Sequence, residues 1–249
     1  MRQTAASMII LTFVLAISLH SQQIISNDQN EISNGETINL PSPQFDGNIS
    51  LEKALNTRRS ARSFLSESLT LQQISQILWA AQGITKKKDT PSKYWLKKYE
   101  YQGGYRTAPS AGALFPIELY VVVGSVQNLS PAIYKYIPKN HSLKKVMDGN
   151  KTLDVYETAL KQDAIKEAPV LLIISSVFER TEAKYEKRAE RYVYIEVGAV
   201  CENVYLQCST LGLGTVIIGA FNDDPLKAVL QLPKEENPMG IMPIGKPKN

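Results

Sequence analysis

The sequence predicts an α+β fold. Aliphatic, β-branched runs of strand length stand at 117–124 (IELYVVVG), 169–178 (PVLLIISSVF) and 215–221 (TVIIGAF). Helical periodicities lie between and around them, without the strict strand–helix–strand alternation of a doubly wound parallel sheet. With 249 residues, 43% hydrophobic and 21% charged, the chain has the composition of a globular protein with a sizeable core, and its length fits one large domain or two small ones. The net charge of +4, from 28 basic and 24 acidic residues, is too balanced to indicate nucleic acid as a partner.

In chain order, residues 1–21 read as a signal peptide or N-terminal anchor. Arg2 is a short positive region, Met8 to Leu19 an apolar run, and Ala16 and Ser18 give small-x-small spacing for cleavage. The run is short for a membrane span, and membrane contact is expected only through this segment if it stays uncleaved. The expected location is therefore outside the cytoplasm, either exported after cleavage or anchored. Residues 22–48, polar and rich in Asn and Ser, read as a flexible leader, and 49–249 as one domain.

Ser50 caps a short helix, SLEKALN, that stops at an arginine-rich stretch. Thr70 and Gln73 form a capping box for TLQQISQILWAAQG, whose Ile74, Ile77, Leu78 and Ala81 make one apolar stripe. The lysine-rich, aromatic stretch 85–105 has no sustained period and reads as a long surface loop and candidate lid. The alternative is a single-stranded nucleic acid or membrane face. IYKYIPKNHSLKKVM reads as a hairpin turning at Lys139–His141, followed by a helix over about 151–165. The stretch 182–211 reads as one long helix, apolar on more than one face, which suits burial centrally or between subunits. Asp224-Pro225 starts a short helix, and MGIMPIGKP an extended tail.

Protein-borne catalysts are scarce. Of two histidines, His20 lies in the targeting segment and His141 in a hairpin turn, where solvation is expected. Neither a Ser-His-Asp triad nor a zinc site is supported. Cys201 and Cys208, the only cysteines, sit roughly 10 Å apart along one helix, too far for a disulfide. GIMPIGK (240–246) satisfies part of a P-loop, but Pro247 replaces the Ser or Thr and no helix follows. LGLGTVIIG follows a helix, not a strand, and fails the Rossmann pattern. If this is an enzyme, a cofactor carries the hard chemistry.

RRSARSF (58–64) concentrates cationic donors. If extended, its period of two puts Arg58, Ser60 and Arg62 on one face, two guanidinium forks flanking a hydroxyl, with Arg59 opposite. A terminal phosphate and a solvated basic turn both fit this segment taken alone.

Four segments taken in order carry a resemblance: RRSARSF after a short helix, YRTAPSAGALFPIELYVV, EVGAVCENVYLQCSTLGLGTVIIGAF and PIGKP. Together they resemble the nitroreductase superfamily of FMN-dependent oxidoreductases, most closely its SagB/ThcOx-type branch with azoline dehydrogenases, over about residues 50–248. The resemblance implies a central, mostly antiparallel sheet flanked by helices, and an intertwined homodimer with FMN at the interface. It implies that Arg58, Arg59, Ser60, Arg62 and Lys246 hold the FMN phosphate and ribityl chain. It implies that Pro109, Ser110, Ala111 and Gly112 pack on the flavin from the partner subunit, and that a backbone N–H near Gly219 or Ala220 bonds N5. Hydride transfer would then run from a donor such as NAD(P)H to a small organic or peptide substrate, or in reverse for azoline oxidation. Lys184-Tyr185 lies in the region of a Lys-Tyr pair that has a base role in the azoline branch; no catalytic side chain is otherwise singled out. Export would require an electron donor other than cytoplasmic NAD(P)H. A non-catalytic envelope protein holding FMN or an anionic partner remains the alternative.

Overall fold

In the computed structural model, residues 35–248 are described, so the expected signal peptide or anchor at 1–21 and the expected leader up to residue 34 lie outside the described residues. From Thr37 onward the chain forms one unit. Its centre is a seven-stranded sheet in the order β1-β6-β5-β4-β7-β9-β8. The strands are β1 (Thr37–Asn39), β4 (Ile117–Val123), β5 (Ala132–Ile137), β6 (Ser142–Asp148), β7 (Val170–Ser176), β8 (Gly214–Thr215) and β9 (Asn237–Gly245). Every neighbouring pair in it is antiparallel. A separate ribbon, β2 (Ile84–Lys86) with β3 (Tyr105–Arg106), closes the base of the lysine-rich loop.

β4 and β7 are buried on both faces, which is why they read as continuous aliphatic runs. Alternation along them splits the core in two. Leu119, Val121, Leu172 and Ile174 face helices α2 (Leu71–Gln82) and α6 (Ala189–Thr210), meeting Ile77, Leu78, Val193, Val200 and Val204. Tyr120, Val122, Leu171 and Ile173 face the other layer, α3 (Thr152–Thr158), α4 (Asp163–Glu167) and α7 (Asp223–Val229). Among the described residues no helix is long and apolar enough to cross a membrane.

The caps form as read. Ser50 accepts from Lys53 N–H at the start of α1 (Leu51–Thr57), and Thr70 with Gln73 completes the capping box of α2. Several other expectations are corrected. Residues 37–44, expected as part of the flexible leader, dock instead: β1 pairs with β6, Leu40 is buried, and Gln44 exchanges hydrogen bonds with Gln76 (2.8 and 3.0 Å). An otherwise open sheet edge is thereby covered. The helix expected over 182–211 is two, α5 (Phe178–Tyr185) and α6, separated at Glu186 with φ +47° and a 3₁₀ turn. The helix expected over 151–165 is likewise split into α3 and α4, with Leu160 and Lys161 left-handed between them. Of TVIIGAF only Thr215 is strand, as the second residue of β8, with a further bridge from Ile218 to Ile241. The C-terminal tail is β9, inserted between β7 and β8 and almost wholly buried. His141 is half-buried, with Ser75 Oγ at 2.7 Å from Nε2 and Tyr136 Oη at 2.8 Å from Nδ1.

Candidate functional site

The first half of the site is a corner where α1 ends. Arg58 caps that helix, its N–H donating to Ala54 O, and the chain then runs extended between two distant segments. Ala61 N–H donates to Thr215 O (3.0 Å), Leu65 N–H to Lys246 O (2.9 Å) and Lys248 N–H to Ser63 O (3.1 Å). RRSARSF, the GLGT turn and the GKP segment therefore meet through backbone hydrogen bonds. Gly214 permits this closeness, since a Cβ there would lie 2.5 Å from Ala61 Cβ.

A cavity of about 320 Å³ opens at the corner, lined among others by Arg59, Ala61, Tyr205, Ser209, Thr215 and Pro247. The alternation expected here is corrected: Arg59, not Arg58 or Arg62, lines the cavity, because Ala61 and its parity are fixed by the bond to Thr215. Arg58 is half-buried, with its guanidinium 5.2 Å from the Tyr205 ring centre. Arg59 donates to Asn56 O (3.1 Å) and Arg58 O (2.7 Å), and Ser60 and Arg62 are exposed. Among the described residues none of the three arginines has a carboxylate partner. Lys246 is exposed and paired with Glu67 (3.1 Å). Among the described residues the buried Thr215 hydroxyl has no hydrogen-bond partner. Guanidinium forks, an ammonium and an unpaired hydroxyl are the donor set that a phosphate ester fits.

The second half is the turn at 109–115. Gly112, Ala113 and Phe115 all adopt left-handed φ, at +64°, +54° and +44°. Strain at two non-glycine residues requires outside support, and each support is identifiable. Ser110 Oγ accepts from Phe115 N–H (2.8 Å), and Arg180 of α5 donates to Phe115 O (2.9 Å) while pairing with buried Glu118 (2.6 Å). From α6, Glu196 accepts from Ala111 N–H (2.7 Å). Glu196 is only 5% exposed, and burial pushes its carboxyl up to about 7 against the opposing pull of the Ala111 amide and the Ser110 hydroxyl. A Cβ on Gly112 would stand 3.2 Å from Lys184 Nζ and 3.2 Å from Tyr185 Oη, so the Lys-Tyr pair adjoins this turn. Lys184 Nζ also lies 5.3 Å from the ring centre of Tyr94, in the lysine-rich loop. That loop is tied to α5: Tyr99 donates to Glu179 (2.9 Å), and Arg180 stacks 4.6 Å from the Tyr99 ring centre. Pro109 is exposed beside the turn.

The two halves contact one helix at different stations. Tyr205 and Glu196 are separated by about 13 Å along α6. Between corner and sheet, Ile217 N–H donates to Tyr205 Oη (2.8 Å) and Ala220 O accepts from Gln162 (2.9 Å). A Cβ on Gly219 would meet nothing within 4 Å, so the approach to its backbone is open. Sequence reasoning missed Glu196, Arg180 and Glu118. Glu118 had a signal, a lone carboxylate inside the aliphatic run IELYVVVG, and Glu196 another, an acid at the head of the EVGAV segment.

This combination of a seven-stranded antiparallel sheet, flanking helices and an arginine corner defines a nitroreductase-like fold. The chain belongs to the nitroreductase family, whose sequence model matches residues 55–246. It is 40% identical to MJ1384 of Methanocaldococcus jannaschii, a protein with a nitroreductase name, over 85% of this chain and 98% of that protein. It is 26% identical to the microcin B17-processing protein McbC of Escherichia coli over 51% of this chain and 48% of McbC, so it spans about half of that relative. A nitroreductase crystal structure from Ralstonia eutropha, 28% identical, superposes with a TM-score of 0.68 over 86% of this chain and 90% of that one.

Proposed function

We propose that the protein is an FMN-dependent oxidoreductase acting as a homodimer on a small organic or peptide substrate. The observation that carries this reading is the corner itself, in a family of oxidoreductases: among the described residues its three arginines have no carboxylate partner, and Arg59 lines a cavity with Thr215, whose buried hydroxyl has no hydrogen-bond partner. When bound, FMN would supply hydride transfer through N5. Arg59 and Thr215 would hold the phosphate from inside the cavity, with Arg58, Ser60, Arg62 and Lys246 closing from its rim. The open backbone at Gly219–Ala220 would lie against the ring. The turn at 109–112 stands at the other station of α6, consistent with its serving the flavin of a second copy. Lys184 and Tyr185 would then face the substrate and move its proton.

NAD(P)H is the proposed reductant if the protein meets it. Export directed by residues 1–21, or anchoring through them, would call for another donor, and N-terminal sequencing of the native protein distinguishes the two fates. The test of the main reading is the absorbance spectrum of the purified protein, then anaerobic titration with NADH and NADPH. A flavin band bleached by either donor is expected. Colourless protein that takes up no FMN would refute the reading, and bound FMN that no donor or substrate turns over would favour a carrier or binding protein.

A further inference from the structure

The hold on the 109–115 turn is unevenly shared. Ser110 and Arg180 secure its end at Phe115, but Ala111 N–H has one partner, Glu196 Oε1. The other oxygen, Oε2, is buried and has no hydrogen-bond partner among the described residues. A buried carboxyl on a helix is costly wherever it makes no essential contact, and here, among the described residues, its polar contacts are to the turn, at the Ala111 amide and the Ser110 hydroxyl. We infer that Glu196 is the positioning residue of the 109–115 turn, holding it from inside α6 through Ala111 N–H, and that loss of its charge loosens the turn.

The surroundings leave this carboxyl to act alone. α2, packed on α6, carries no ionisable side chain. On α5, Lys184 and Tyr185 meet Gly112, and Arg180 is engaged by Glu118 on β4. The groups acting on Glu196 are the Ala111 amide and the Ser110 hydroxyl, neither of them charged. A charged acceptor holds an N–H about twice as strongly as a neutral one. The turn is therefore firmest when Glu196 is ionised, and its hold weakens as pH falls through about 7. Only the consequence for flavin rests on the proposed function; the hold itself does not.

The experiment is site-resolved amide exchange on the full chain from about pH 5.5 to about pH 8.5, after correction for intrinsic rates, with and without added FMN. Glu196→Ala is expected to lower protection at Ala111 by at least about tenfold. Glu196→Gln, which keeps a neutral acceptor but cannot ionise, is expected to give protection between that of Glu196→Ala and that of the ionised wild type, with no pH dependence. Unchanged protection at Ala111 in Glu196→Ala overturns the inference, as does a Glu196→Gln variant that follows the wild-type pH curve. If Glu196→Ala fails to fold, the Glu196→Gln comparison decides. A wild type that binds no FMN yet shows this behaviour sustains the inference and refutes the flavin reading; FMN binding with no change at Ala111 does the reverse.

Discussion

The arginine corner and the 109–115 turn place their functional groups by opposite means. At the corner the backbone is fixed by Thr215 and Lys246, while its three arginines have no carboxylate partner among the described residues. At the turn the backbone itself is strained, and buried charges reach in from α5 and α6 to hold it. The corner can therefore lose side chains without losing the fold, whereas the turn cannot lose its supports. Binding energy is stored in the first as exposed cationic charge and in the second as imposed geometry.

The sharpest way to break the comparison is at Glu118. It is buried between Arg180 (2.6 Å) and Lys135 (3.3 Å), and its removal leaves the Arg180 guanidinium without a counter-charge. Glu118→Gln is expected to cost about 3–5 kcal/mol, read as a lower urea midpoint. By contrast, Arg59→Ala with Arg62→Ala is expected to weaken FMN binding at least about a hundredfold. Its unfolding midpoint should stay within about 0.5 kcal/mol of wild type. A comparable loss of stability at both places would erase the distinction.

A pH series sharpens it further. Because the folded value of Glu196 is raised from 4.5 to about 7, the native state binds more protons than the unfolded state between those values. Stability attributable to this group is present in full below about pH 4.5 and is lost as pH climbs through about 7. The loss is on the order of 3 kcal/mol, and Glu196→Gln should flatten it in thermal melts. Above pH 7 the turn is thus held best just where the global fold carries the cost of a buried charge. Gly112→Ala follows, with an expected cost of about 1–3 kcal/mol from the left-handed φ of +64°. Displacement of the flexible Lys184 end accompanies it.

The sequence showed the corner better than the turn, for a physical reason. Helix caps, the arginine run and the GLGT turn are local signals, and the ordered motifs pointed to their meeting. The parity of Arg59 was not legible, because a hydrogen bond from Ala61 to a residue more than a hundred positions away sets it. Nor was the break at Glu186, since EKRAERYV is a run of good helix formers and nothing local forbids continuity. The placing of β9 inside the sheet was not legible either, because its prolines at 238 and 243 belong to a residue type usually confined to sheet edges. The supports of the turn come from three separate elements, each unremarkable in its own segment.

The smallest effect tests where the corner ends. Lys246 belongs to it through the backbone, yet its ammonium is paired with Glu67 in solvent, and an exposed pair of this kind contributes about 1 kcal/mol or less. Any anion drawn to Lys246 must compete with that carboxylate. Glu67→Gln should therefore tighten FMN binding by about two- to fivefold, the opposite sign to Lys246→Ala, while neither moves the unfolding midpoint measurably. In the double variant the Glu67 effect should vanish, because the lysine through which it acts is gone. If Glu67→Gln alters FMN affinity equally in both backgrounds, Lys246 is a bystander and the phosphate is held by the arginines and Thr215 alone.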